Sequence, residues 1–446
     1  MGKLFGTDGI RGEANRELTP ELAFNIGRVA AWYLGREQRG EIIIGRDPRL
    51  SGAMLEAALA AGIASVGLDV RLAGVVTTPG QAWLTRNSDA VAGCMISASH
   101  NSMEDNGLKF VNTWGFKLED SQEADMEQLY HNKLDSIPRP TGAGVGRIIR
   151  DEAMIEGYAK FLLSTIGRSF SGLKVVLDCA NGAGSFLAPQ VLKSAGAQVQ
   201  VIHASPDGIN INRNCGSTYP EAIANAVRSQ KADLGLALDG DADRLIAVDA
   251  QGNVVDGDQI MLIVARHLQE QGQLKSNTLV VTVMSNLGLT LAARKLGLNL
   301  VTTKVGDRYV LEAMLQGDYT LGGEQSGHII LRKYSTTGDG ILSALQLMEI
   351  ISTTGRSLEE LAGIMEKLPQ VLYNVKVVDK TGWDKNPAIA ASIQQAEDIL
   401  AENGRVLVRP SGTEALIRVM LEGPEQTQLE ELAGQIAQVI REQQGE

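Results

Sequence analysis

Aromatic residues make up only 4% of the 446-residue chain, which has 5 histidines, 3 cysteines and no excess of positive charge. With 41 basic against 53 acidic residues the net charge is −12. That balance argues against nucleic acid or an anionic membrane surface as a partner. A phosphorylated ligand must therefore be held by local cations. No run of about 18 apolar residues occurs, so no membrane span is expected. Residues 1–6 lack the apolar core of a signal peptide, and Gly6 stands where a myristoylation pattern needs Ser or Thr. Cys94, Cys179 and Cys215 are odd in number and form no CxxC pair, so buried free thiols and a cytoplasmic location are expected. His131, His203 and His267 have no supporting pattern and are expected on the surface or on helices.

What is abundant is glycine, 49 residues against a 44% hydrophobic background, as in an α/β enzyme with many strand-to-helix turns. A loose repeat of strand, Gly/Asn turn, helix, Gly stop and strand starts at Glu41, Lys174 and Thr278. Each copy reads as a βαβ unit with a mostly parallel sheet. A breaker-rich linker is expected at Pro138–Gly144. After Pro369 the pattern changes to a small α+β domain. The fold expected is three related α/β domains with mixed, mostly parallel sheets, at 1–150, 151–250 and 251–368. An α+β domain at 369–446 completes it, around a central cleft. Ligands of such sheets sit at the carboxyl ends of strands, so the turns after the repeated strands are where chemistry is expected.

The apolar run Leu234–Leu238 opens into Asp239-Gly-Asp241-Ala-Asp243-Arg244. Three carboxylates at alternate positions converge if the loop curls, and their oxygens suit Mg²⁺. An EF-hand reading fails, because its sixth and twelfth positions hold Arg244 and Ala250. The haloacid-dehalogenase pattern shares the Asp-x-Asp, but carries Thr or Val where Asp243 stands. A solvated acidic turn is the bland alternative.

Three other loops carry reactive groups. Ser97-Ala-Ser99-His100-Asn101 follows an apolar run; it reads as a helix cap or Asx turn, or as a nucleophile beside a magnesium site. Lys109, a little further on, is placed to balance phosphate charge or carry a proton. Arg409-Pro-Ser411-Gly412-Thr413-Glu414 joins an Arg fork to an anion-binding nest, with Arg418 a second cation. Gly322-Gly-Glu324-Gln325-Ser326-Gly-His328 offers polar groups for sugar hydroxyls, although His328 alone would more often be structural. Near the N-terminus, Arg11 between Gly9 and Gly12 reaches a phosphate or forms a structural salt bridge.

All four loops, in this order, resemble the α-D-phosphohexomutase superfamily, from Phe5 to the C-terminal domain. The stretches Phe5–Gly12, Val283–Leu289 and Val305–Val310, with Gln325, narrow the resemblance to members that isomerise glucosamine 6-phosphate to glucosamine 1-phosphate. Glucose or mannose phosphate mutases are the alternative, and a non-catalytic phosphosugar-binding protein is the alternative of another class. The resemblance implies that Ser99 is a phosphoserine and that Asp239, Asp241 and Asp243, with the Ser99 phosphate, bind one Mg²⁺ per chain. It implies that Glu324, Ser326, His328, Arg244, Gly306, Asp307 and Arg308 face the sugar. Arg409, Ser411, Gly412, Thr413 and Arg418 would hold the distal phosphate. His100, Lys109 and Arg11 are its candidates for proton transfer and phosphate balance. A kinase or sugar bisphosphate is expected to prime the serine, and a homodimer is compatible with the pattern. Three residues depart from the usual motifs: Ser102 and Ala415 replace prolines, and Ala242 replaces a glycine.

Overall fold

A computed structural model describes residues 4–6, 8–36, 40–411 and 415–445. By internal contacts the chain forms two compact units. One runs up to Met284 and includes Leu298–Ile364; the other joins Ser285–Gly297 to the chain from Met365 onward.

The first unit contains three mixed sheets. In the first the strand order is Ile10–Glu13, Asp105–Asn112, Ala92–Ile96, Glu41–Arg46, Asp69–Val75, Ile148–Arg150. The first two pairings are antiparallel and the remaining three parallel. Two helices, Pro20–Leu34 and Leu50–Ala64, cover it. Thr19 caps the first by accepting the Leu22 N–H, with Pro20 at the opening turn. The helices meet at Gly27 and Gly62, where an added methyl would strike the carbonyl oxygens of Leu59 and Phe24. The expected linker segment 138–144 runs along this domain. Before it Arg28 donates to the carbonyls of Leu134 (3.0 Å) and Ile137 (3.5 Å); after it Gly146 donates its N–H to the Ala64 carbonyl, Val70 donates to that of Arg147, and Ile148–Arg150 joins the sheet.

The second sheet is ordered Val254–Val255, Leu245–Asp249, Leu234–Leu238, Lys174–Asp178, Gln198–Ile202; the third is Asn299–Thr303, Thr278–Thr282, Leu321–Gly323, Ile329–Leu331. Each has a parallel centre and antiparallel strands on one side. Those antiparallel partners explain where the expected loops fall. Residues 97–104, 239–244 and 324–328 are all hairpin connections, not the strand-to-helix turns of the repeats. A hairpin fixes both ends of its loop side by side, so the loop's side chains are forced into one small volume.

The second unit has an antiparallel sheet, Gln370–Lys376, Leu416–Glu422, Arg405–Pro410, packed under helices Pro387–Leu400 and Gln426–Gln444. Helix Leu287–Lys295, expected within 251–368, belongs to this unit. Its anchor is the buried Glu422 carboxylate, which accepts from Asn286 Nδ2 (3.1 Å) and the Leu287 N–H (3.1 Å) and pairs with Arg405 (2.6 Å). Cys94, Cys179 and Cys215 are all free and buried. No described helix is long and apolar enough to cross a membrane.

Asp178 ends a central strand of the second sheet and accepts the N–H groups of Ala180 (2.9 Å) and Gly216 (3.0 Å). His203 Nδ1 lies 2.9 Å from Asp178 Oδ2, the oxygen that also accepts the Gly216 N–H, and this hydrogen bond raises the imidazole pKa against the opposing effect of burial. A raised folded value means the pair stabilises the fold fully below the ordinary 6.5 and loses that contribution as pH rises through the folded pKa. The stability gap between wild type and His203→Gln should therefore be widest in mildly acidic buffer and narrow on the alkaline side. Urea melts across pH check this; a gap independent of pH contradicts it.

Candidate functional site

The first hairpin loop begins after the wholly buried strand Ala92–Ile96. Ser99 takes a left-handed backbone, φ 52°, and its hydroxyl donates to Asp239 Oδ2 at 2.6 Å. What holds it there is a buried arginine that the sequence reading missed. Arg49 pairs with Asp47 at 2.9 Å and donates to the carbonyls of Ser99 (3.0 Å), Asn101 (2.9 Å) and Asp105 (3.1 Å), and also to that of Ser102. Asp47 in turn accepts from Ser97 Oγ (2.6 Å), which receives the Ser99 N–H (2.9 Å). From the loop after strand Gln198–Ile202 of the second sheet, Asn212 Nδ2 reaches the same Ser99 and Asn101 carbonyls at 2.8 and 2.9 Å. The sequence signal was present: an Asp-x-Arg straight after the apolar strand Glu41–Arg46, a charge pair that can be buried only if it is hydrogen-bonded throughout.

The second loop brings Asp239, Asp241 and Asp243 together, with one oxygen of each within 4.8 Å of the others. All three are buried. Burial, then the charges of Asp243 and Asp241, push the Asp239 carboxyl well above its ordinary pKa. Burial would raise Asp241 too, but Lys109 overrides it and holds that group low; its Nζ sits 2.7 Å from Asp241 Oδ2, which also accepts from Thr78 Oγ1 at 2.6 Å. Asp241 Oδ1 and Asp243 Oδ1 are buried with no hydrogen-bond partner. An all-oxygen donor set with two orphaned buried carboxylate oxygens fits a hard divalent cation. Arg244 donates its N–H to Asp239 Oδ1 (3.2 Å). His100 lies beside these groups: burial, then Arg244 and Arg11, lower its pKa to about 4, so the ring is neutral at neutral pH.

The third loop is zipped to the second. Leu245 donates its N–H to the Gly327 carbonyl, and Gly340 donates to that of Ala242, both at 3.0 Å. Glu324 Oε1 accepts the Gly306 N–H (3.2 Å), while Ser326 is exposed. His328 is buried, accepts the Gly338 N–H at Nε2 (2.9 Å), and turns Nδ1 toward Asp243 Oδ2 at 3.5 Å. Asp307 lies 3.6 Å from the same ring and pairs with Lys117. Arg308 points elsewhere: its guanidinium pairs with Asp120 and Glu123 and donates to the Leu118 carbonyl (3.1 Å). That clamps the third domain to the first and leaves the side chain bound to protein groups. Arg11 pairs with Asp8 at 3.2 Å.

In the second unit, strand register sets Arg409 directly opposite Arg418. Burial, then that neighbouring charge, lower the Arg409 pKa, which is an electrostatic setting for an anion. Ser411 is buried, its N–H donates to the Leu416 carbonyl (2.9 Å), and its own carbonyl accepts from Lys380 Nζ (2.8 Å). Gly412 and Thr413 lie outside the described residues.

Ala242 sits in the acidic loop at φ 57°, a conformation that costs a residue with a Cβ about 1–2 kcal/mol and glycine almost nothing. Part of that difference is offset by the greater freedom of glycine in the unfolded chain, about 0.4–1 kcal/mol. Ala242→Gly also removes a wholly buried methyl worth about 0.8 kcal/mol, so the terms nearly cancel and its stability is expected to stay within about 1 kcal/mol of wild type in urea melts. A loss of more than about 2 kcal/mol refutes the strain, since nothing would then offset the lost methyl.

Four family profiles match in chain order: phosphoglucomutase/phosphomannomutase alpha/beta/alpha domain I at residues 2–136, domain II at 155–252, domain III at 256–368, and the C-terminal domain at 372–439. The chain is 56% identical to a phosphoglucosamine mutase of Pelotomaculum thermopropionicum, over 99% of this chain and 100% of that protein. It is 53% identical to a phosphoglucosamine mutase of Brevibacillus brevis, with the same coverage. Among solved structures it is similar to a phosphoglucomutase/phosphomannomutase family protein from Burkholderia thailandensis, with TM-score 0.82 at 21% identity over 99% of this chain and 97% of that one. A second is a phosphomannomutase homologue from Thermus thermophilus, with TM-score 0.78 at 24% identity over 97% and 98%. At those identities the structures speak for the fold alone, whereas the full-length sequence relatives speak for descent. The chain belongs to the phosphoglucomutase/phosphomannomutase family and, within it, to the phosphoglucosamine mutases.

Proposed function

We propose the following route for the phosphoglucosamine mutase activity that this chain carries. Ser99, once phosphorylated, transfers its phosphoryl group to the free hydroxyl of glucosamine 6-phosphate. The oxygen–phosphorus bond to the serine breaks as that to the sugar forms, giving a sugar bisphosphate. The bisphosphate turns around, its 6-phosphoryl group returns to Ser99, and glucosamine 1-phosphate leaves. The observation that supports this reading is the 2.6 Å contact between the Ser99 hydroxyl and the Asp239 carboxylate, which sets the phosphoryl acceptor against the acidic cluster.

Asp239, Asp241 and Asp243 would hold one Mg²⁺, which when bound neutralises charge on the transferring phosphoryl oxygens. Lys109, fixed on Asp241 at 2.7 Å, adds positive charge from the chain itself. His100, neutral and with Nδ1 buried and unpartnered, is the residue ready to take the proton of the attacking hydroxyl. Arg11 and Arg244 flank the phosphoryl position. Glu324, Ser326 and His328 orient the sugar, with Gly306 and Asp307 beside them, while Arg308 acts from behind by holding the domains together. Arg409, Ser411, Gly412, Thr413 and Arg418 take the distal phosphate, whichever end of the sugar carries it. Reaction of this kind is driven by positioning and charge neutralisation. The serine is primed by a kinase or a sugar bisphosphate, and the enzyme works in the cytoplasm.

Intact-mass analysis of purified protein should show a fractional phosphate adduct that disappears in Ser99→Ala, together with turnover of glucosamine 6-phosphate. Turnover persisting in that variant removes Ser99 as nucleophile, and a wild-type preference for glucose or mannose 6-phosphate moves the substrate assignment to the alternative. Asp241→Asn should raise the Mg²⁺ concentration needed for half-maximal rate by at least about tenfold, since it deletes a ligand charge. An unchanged Mg²⁺ dependence counts against the triad as the cation site.

A further inference from the structure

Lys117 lies just beyond strand Asp105–Asn112, held in an isolated bridge with Val111. Its Nζ is 2.7 Å from Asp8 Oδ1 and 2.6 and 2.8 Å from the two oxygens of Asp307. Each acid has a second duty. Asp8 pairs with Arg11 at 3.2 Å, and Asp307 faces His328 Nε2 at 3.6 Å, whose Nδ1 faces Asp243 at 3.5 Å. One ammonium thus stands between the arm that carries Arg11 and the turn that carries Gly306 and Asp307. Without it, Asp8 and Asp307 would face each other as like charges. Asp8 would lean further on Arg11, and the Gly306–Asp307 turn would lose the cation that holds it.

We propose that Lys117 is a positioning residue of the mutase reaction: it fixes Arg11 through Asp8 and the Gly306–Asp307 turn through Asp307, and so sets the distance between the phosphate-facing and sugar-facing sides of the site. The proposal rests on the roles given above to Arg11, Gly306 and Asp307. Lys117 itself touches neither sugar nor phosphoryl group. Its ammonium supplies three donors along separate directions, matched here by three carboxylate oxygens; a guanidinium keeps the charge but not that spread.

The test is steady-state kinetics of the full-length Mg²⁺-loaded enzyme with glucosamine 6-phosphate, for Lys117→Met, Lys117→Arg, Arg11→Gln and the Lys117→Met/Arg11→Gln double variant. Lys117→Met should lower kcat/KM by about 10–100-fold, as supporting groups around a site commonly do. The loss should fall mainly on kcat, with partial recovery in Lys117→Arg. The double variant should lose less than the product of the two single losses, because one residue acts through the other. A Lys117→Met enzyme within about twofold of wild type, or losses that simply multiply, overturns the proposal. If Lys117→Met does not fold, the charge-balanced Asp8→Asn/Lys117→Met pair replaces it, under the same criteria. Ser99→Ala run alongside separates the two levels: turnover lost there but unaffected at Lys117 rejects the positioning role alone, whereas turnover retained in Ser99→Ala rejects the reading beneath it.

Discussion

Three carboxylates within 4.8 Å of one another, all buried, cannot all stay ionised unless positive charge stands beside them. Much of the first unit can be understood as the answer to that constraint. Lys109 neutralises Asp241 directly, Arg244 stands beside Asp243, and the Ser99 hydroxyl hydrogen-bonds Asp239. What remains unmet, two buried oxygens on Asp241 and Asp243, is the deficit a divalent cation would fill. A site with such an electrostatic shortfall is one that a cation and a phosphoryl group would complete as one neutralised set.

Holding such a cluster requires rigid backbone, because like-charged side chains would otherwise move the loop apart. The solution is the same in each place: a short hairpin connection whose ends are fixed by the sheet. Hydrogen bonds from buried groups then lock each tip. Arg49 gathers carbonyls of the serine loop, Asn212 reaches the same carbonyls from a loop of the second domain, and the Gly327 and Ala242 carbonyls accept from Leu245 and Gly340 on either side of the acidic loop's junction with the third domain. Left-handed backbone at Ser99 and Ala242 is sustained because these contacts over-determine it. The ion pairs of Arg308 and Lys117 extend the same locking across the first and third domains.

Much of this was legible in the chain. The three repeats foretold three α/β domains, and the spacing of Asp239, Asp241 and Asp243 foretold a convergent acid set. Both depend on local pattern: hydrophobic period and residue type survive translation into structure because burial and ligand chemistry are read from side chains nearby in sequence. The expectation of strand-to-helix turns holds for Gly306 and Asp307, between strand Asn299–Thr303 and the helix that begins at Asp307, but not for the serine, acidic and 324–328 loops. Which strand pairs antiparallel with which is decided by partners far along the chain, and the antiparallel strands after Ile96, Leu238 and Gly323 turned those turns into hairpins. Arg308 illustrates the same gap. Its motif marked it as a substrate group, yet Asp120 and Glu123, nearly two hundred residues earlier, take its charge.

The sequence alone determined the chemical inventory: a hydroxyl, a carboxylate triad, a sugar loop and a basic phosphate loop, in an order that identifies the family, together with the α/β character of the scaffold. Only the tertiary structure decided which of these groups meet. It was the pairing of Ser99 with Asp239, the buried latch of Arg49 and the shared ammonium of Lys117 that converted a set of motifs into one site. The physical reason is distance along the chain. Residues separated by fifty to nearly two hundred positions exert force on one another only after the sheets have folded, and nothing in their local sequence records which partner that will be.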